Sequence, residues 1–142
     1  MEGQYKTFKK EMESHREALK KKTKHLALRI IRLFRSLPKT DEARFMGRQL
    51  LRCGTSVAAG YRALCRARPG VERDAKIEAV VERADEIVFW MELLVESEVM
   101  DSSRTGEILN EAKELLGIFM AMQGATTAAR SARGRSIPSM IH

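Results

Sequence analysis

Between Gln49 and Ser97 apolar residues recur at alternating steps of three and four, in two series separated by one short break. Leu50, Cys53, Val57, Tyr61 and Leu64 form the first, and Ile77, Val80, Ala84, Ile87, Met91 and Leu94 the second. Residues spaced in this way line one side of a helix, and in water that side must be buried. The break, Arg68-Pro69-Gly70, is short enough to make the two helices antiparallel neighbours. Their charges are opposed. Residues 41–68 hold six Lys or Arg against two acids, whereas residues 69–116 hold five against thirteen.

The flanking sequence adds two more helices. Leu26, Ile30, Leu33 and Leu37, flanked by Ala27, Ile31 and Phe34, predict a helix over Thr23 to Ser36. Pro38 ends it, because proline cannot donate a hydrogen bond and disfavours a helical residue before it. Thr40 or Asp41 then caps the second helix, with Asp41 and Glu42 where the helix dipole favours acids. That helix should reach about Ala67. The third starts near Pro69 and runs from about Val71 to Glu98. Asp101, Ser102 or Ser103 caps a fourth, from about Arg104 to Ala125, with Ile108, Ala112, Leu115, Phe119 and Met122 as its stripe. No strand is evident, and Leu, Ala, Glu, Lys and Arg dominate the composition. The expected class is therefore all-α. At 142 residues, one domain with a real core is the simplest division. Residues 1–23 read as a charged lead-in that can be a solvated helix, 24–125 as the bundle and 126–142 as a basic tail. Part of the tail can extend the last helix through Thr126 to Arg133, and beyond Gly134 disorder is expected in isolation.

Catalytic chemistry has little to stand on. His15, His25 and His142 show no ligand-like spacing to Cys or acids, and no Gly-rich phosphate loop follows a strand. A carboxylate metal site in such a bundle needs Glu-x-x-His pairs from facing helices, and none occurs. A protein that is not an enzyme, without metal or cofactor, is expected. Cys53 and Cys65 would lie about 18 Å apart along one helix, too far for a bridge within the chain. Buried thiols in a reducing cytoplasm are expected, with no secretion signal at the charged start and no membrane span.

Two features have more than one reading. Gly54 and Gly60 bracket a small-residue run inside the second helix, at about 1 kcal/mol each relative to Ala. Close approach of another helix explains them, either within the chain or between subunits. Trp90, the only tryptophan, sits with Phe89 beside the main stripe, which suits core or interface packing better than base stacking.

The charges suggest a mechanism. Arg52, Arg62 and Arg66 should meet Glu78, Glu82, Asp85 and Glu86 of the antiparallel neighbour as structural ion pairs that fix register. Residues 1–40 carry twelve Lys or Arg against four acids, and residues 117–142 carry three and none. Lys20, Lys21, Lys22, Lys24, Arg29, Arg32, Arg35, Arg130, Arg133 and Arg135 are thus the candidates for phosphate contact. A merely solvated basic face remains the plain alternative.

Several stretches carry a resemblance. Gln49-Leu50-Leu51-Arg52, Thr55-Ser56-Val57-x-Ala59, Tyr61-Arg62-Ala63-x-Cys65-Arg66-Ala67-Arg68, Glu82-x-Ala84-Asp85-Glu86 and Phe89-Trp90-x-Glu92-Leu93-Leu94 resemble the 23S rRNA intervening-sequence proteins. The likeness covers about Leu26 to Met122. Gly60 stands where the family often has Asn, and Ala63-Leu64 where many members have Glu-Gly. The resemblance implies an up-down antiparallel four-helix bundle that assembles into a ring-like homopentamer. It also implies kinship with accessory proteins of diversity-generating retroelements, which bind a reverse transcriptase and its RNA. The expected function is an oligomeric accessory protein that binds RNA or another nucleic acid. The alternative is a scaffold that docks an acidic protein, with no nucleic-acid role.

Overall fold

In the computed structural model, residues 2–135 are described, the last three by their backbone alone. Four helices follow in order: α1 Glu2–Ser36, α2 Asp41–Arg66, α3 Val71–Glu96 and α4 Ser102–Arg135. They alternate in direction as an antiparallel bundle. α1 packs on α2, α2 on α3 and α3 on α4, while α1 and α4 touch more sparsely. No strand occurs among the described residues.

The two stripes that define the sequence form the centre. All the residues of both series, from Leu50 to Leu64 and from Ile77 to Leu94, are buried. Leu26 and Ile30 of α1 close one side, and Ile108, Ala112, Leu115 and Phe119 of α4 the other. The rings of Tyr61 and Phe119 stack with centroids 5.8 Å apart across the middle. Each such large apolar side chain contributes about 1.5–3 kcal/mol by leaving water. The buried threonine hydroxyls are satisfied locally, Thr23 donating to the carbonyl of Lys20 at 3.1 Å and Thr105 to that of Ser102 at 3.2 Å.

The turns follow their residues. The amide of Leu37 donates to the carbonyl of Phe34 at 3.2 Å, and Pro38 then prevents continuation. Thr40 caps α2, its Oγ1 accepting from the amide of Ala43 at 3.3 Å. Between α2 and α3 the chain reverses at Gly70, whose φ of 104° few residues but glycine adopt.

α2 owes its closeness to its neighbours to three small residues. A Cβ on Gly54 would lie 2.7 Å from Cδ1 of Ile30 on α1, and one on Gly60 would lie 3.1 Å from Cγ1 of Val80 on α3. One on Gly47 would meet both Leu37 and Phe34 at 2.7 Å. The space beside Gly54 and Gly60 is therefore filled by side chains of the same chain.

The outer helices take up the extensions that the sequence allowed, a solvated lead-in before Thr23 and a continuation into the tail. α1 is helical from Glu2, twenty-one residues before Thr23, although nothing before Leu19 is buried. Tyr5, Phe8 and Met12 continue the phase of the core stripe into water, all three exposed. α4 likewise runs on to Arg135. The disorder expected at the end of the chain concerns residues 136–142, which lie outside the described residues. Met12 and Arg16 sit beside Ala67 and Pro69 at the α2–α3 turn, and Arg130 beside Asp74 near the start of α3. Both outer helices therefore pass the turn at the same end of the bundle.

Two glycine substitutions separate close packing from helix propensity. Gly54→Leu should lower stability by about 1–3 kcal/mol through overpacking on Ile30. Gly117→Ala meets open space on α4 and should raise it by up to about 1 kcal/mol. Thermal melts read both, and a Gly54→Leu protein as stable as wild type would mean that α2 is not pressed against α1.

Candidate nucleic-acid interface

Burial of one stripe on α1 turns a second stripe outward. With 3.6 residues per turn, Lys21, Lys24, Arg32 and Arg35 lie roughly opposite the buried seam of Leu26, Ile30 and Leu33. All four are exposed, and none forms an ion pair. Leu28, also exposed, sits between them. The result is a ridge of four cations that spans about 21 Å of helix, outside any ion pair, although Lys21 shares a groove with Glu111 and Glu114 and Arg32 shares one with Glu107.

The other candidates are already engaged. Lys20 Nζ donates to Glu17 at 3.0 Å, and Lys22 Nζ to Glu114 of α4 at 2.7 Å. Arg29 pairs with Glu107 and, at 3.4 Å, with Glu111, while its Nε donates to Nε2 of His25 at 2.9 Å. The hydrogen bond to Glu107, and then the charge of Glu111, hold the Arg29 pKa above its usual value. Arg130 pairs with Asp74. Exposed pairs of this kind contribute only about 0–1 kcal/mol, so they fix charge balance more than structure. Arg133 and Arg135 fall in the last turn of α4, where only the backbone is described.

The ion pairs expected between α2 and α3 are not formed. The two helices do lie at the anticipated level, with Cys53 beside Glu86 and Gly60 beside Val80. Yet Arg52, Arg62 and Arg66 stand roughly 140–180° round α2 from its buried seam, and Glu78, Glu82 and Asp85 roughly 125–175° round α3 from its own. All six are exposed and none reaches ion-pairing distance of the other helix, although the charge of Arg52 is felt at Cys53. Glu86 alone lies on the shared flank, where it accepts from the Cys53 thiol at 2.9 Å and from Arg83 of its own helix at 3.3 Å. Burial first, and the Glu86 carboxylate second, push the Cys53 thiol up to about 12. Burial likewise raises the Tyr61 phenol, with a hydrogen bond to Cys65 adding to the effect.

Three cations that sequence reasoning missed extend the α1 ridge round the first turn. Lys39, Arg44 and Arg48 are exposed, form no ion pair and border one notch together with Arg35. Their density along the chain is ordinary. Only folding at Pro38 brings them together, and the signal that could have found them is the outward phase of Arg44 and Arg48 on a capped helix next to that turn. Among the described residues no three His, Cys, Asp or Glu side chains are grouped to hold a metal ion, and no helix is long and apolar enough to cross a membrane.

The chain is thus an up-down four-helix-bundle protein with a ridge of exposed, unpaired cations on its first helix. Among solved structures it is similar to a protein of unknown function from the S23 ribosomal protein family of Bacteroides thetaiotaomicron. That crystal structure matches with a TM-score of 0.70 and 26% identity, over 77% of this chain and 97% of that one. No protein-family model matches the chain, and no curated protein matches it.

The Cys53 environment fixes the sign of a pH dependence. A thiol pKa raised from 9.0 means stabilisation that is complete below about pH 9 and lost as pH climbs towards 12. The fall in Tm between pH 8.5 and 11 should therefore be smaller in Cys53→Ala than in wild type, and equal falls would deny that burial and Glu86 together hold the thiol protonated.

Proposed function

We propose that the chain is a non-enzymatic, oligomeric accessory protein that binds RNA or another nucleic acid in the cytoplasm. The observation that carries the reading is the α1 ridge of Lys21, Lys24, Arg32 and Arg35, four exposed cations of which none is held in an ion pair. Cations so placed contact phosphates without reading bases, and repetition of the ridge in an assembly multiplies the attraction. The paired residues Lys20, Lys22, Arg29 and Arg130 are secondary, because their weak exposed partners can be exchanged for phosphate.

Assembly into a ring-like homopentamer is part of the proposal. It draws on the resemblance to intervening-sequence proteins and on an aromatic patch at the α2–α3 seam. There Phe45 and Phe89 are both more than half exposed, and each meets Trp90 edge-on, with centroids 6.0 and 4.9 Å apart. Exposed rings of this kind favour a protein contact. Kinship with retroelement accessory proteins, and with it service to a reverse transcriptase, belongs to the same proposal.

Native mass spectrometry of the purified protein should give a closed oligomer that retains nucleic acid. Affinity for RNA should fall steeply as salt rises, and Lys21→Ala with Lys24→Ala should make that dependence shallower. Affinity that stays flat from low to high salt would exclude a phosphate-driven interaction. A protein partner retained after nuclease treatment, with no RNA bound, would favour the scaffold.

A further inference from the structure

A groove between the outer helices is an unsuitable place for a polyanion. It lies between α1 and α4, has a volume of about 470 Å³ and is lined by Glu111 and Glu114 as well as Lys21 and Lys22. The Lys22–Glu114 pair spans it. The notch at the α1–α2 turn is different. Its volume is about 330 Å³, and its rim carries Arg35 from the last turn of α1, Lys39 from the turn, and Arg44 and Arg48 from the start of α2. No acid lines it. Asp41 and Glu42, exposed in the first turn of α2, pair with none of the four. The floor is apolar, made by Phe34, Leu37 and Pro38.

This floor and rim are held in place. Phe34 and Leu37 both press on Gly47, and the Thr40 cap fixes the direction in which α2 leaves the turn. Four cations from three segments are thereby set round an apolar patch to which the half-buried ring of Phe34 contributes. That combination is the one single strands use, with phosphates on cations and a base stacked on a ring. The volume lies at the small end of the roughly 300–1,000 Å³ typical of small-ligand sites, enough for one base but not for a duplex.

We infer that this notch seats a single-stranded nucleic acid, with phosphates on Arg35, Lys39, Arg44 and Arg48 and one base against Phe34 and Pro38. The inference rests on the nucleic-acid reading above and adds to it a place and a strandedness. The notch continues the α1 ridge, so a strand seated there would leave along Arg32, Lys24 and Lys21.

The test is fluorescence anisotropy with the full chain, using labelled oligouridine, oligothymidine of the same length and a blunt RNA duplex, over a series of salt concentrations. The exposed pair Arg44→Ala with Arg48→Ala should melt like wild type. It should weaken single-strand binding about tenfold or more and flatten the salt slope by about 1.4, at roughly 0.7 for each phosphate no longer neutralised. Arg62→Ala with Arg66→Ala, on the same helix but away from the notch, should leave both unchanged. Binding of either oligonucleotide with this variant pattern supports the notch, because no sugar contact is part of it. Tighter binding to the duplex than to oligouridine overturns it. So does loss of binding on Lys21→Ala with Lys24→Ala while the Arg44 and Arg48 variant binds normally, an outcome that leaves the ridge reading intact. If the wild-type protein binds none of the three probes, the broader reading fails and the notch with it.

Discussion

The burial of α2 between α1 and α3 is the constraint on which the rest of the molecule depends. Leu50, Cys53, Val57, Tyr61 and Leu64 fill its inner side, while Gly47, Gly54 and Gly60 let Phe34, Ile30 and Val80 come close on its flanks. A helix held on both flanks has one azimuth left for polar groups. The arginines of α2 are therefore driven outward together, and the acids of α3 are driven outward on a neighbouring face. Opposite charges adjacent in sequence thus end on separate surfaces. On the flank they share, Glu86 meets the neutral thiol of Cys53 and takes its cation, Arg83, from its own helix.

How far the sequence disclosed this depended on the range of the information needed. The stripes of α2 and α3, the Pro38 stop, the Thr40 cap and the Gly70 reversal are local, and all were legible. The level of α2 against α3 was legible too, because a short turn leaves little freedom in register. The ion pairs failed on azimuth. Matching levels say that Arg62 lies near Glu78 along the axis, but the seam phase turns both side chains to water. The early start of α1 was legible as a solvated helical lead-in, since Tyr5, Phe8 and Met12 hold the phase of the core stripe among dense charges.

For the candidate interface, charge density along the chain was a poor guide. Lys20 and Lys22 belong to the densest run, yet each has an acidic partner, and that of Lys22 is 92 residues away. Arg29 is answered by Glu107 and Glu111 of α4 in the same way. Such partners become visible only when the bundle closes. Conversely, Arg35, Lys39, Arg44 and Arg48 are spread over fourteen positions and gather only because the chain folds back at Pro38. What attracts a polyanion is charge left over after the protein has answered its own, and that remainder belongs to the fold.

The outer helices carry an architectural implication. Glu2 and Arg135 both lie beyond the α2–α3 turn, whereas the Pro38 turn is at the opposite pole. The molecule therefore has a handle and a working tip. A fluorophore, an affinity tag or a fused domain attached through either helical extension would hang from the handle and leave the tip unobstructed. Tethering to a surface by the same route would present every copy in one orientation, with the arginine-rimmed pole facing the solution.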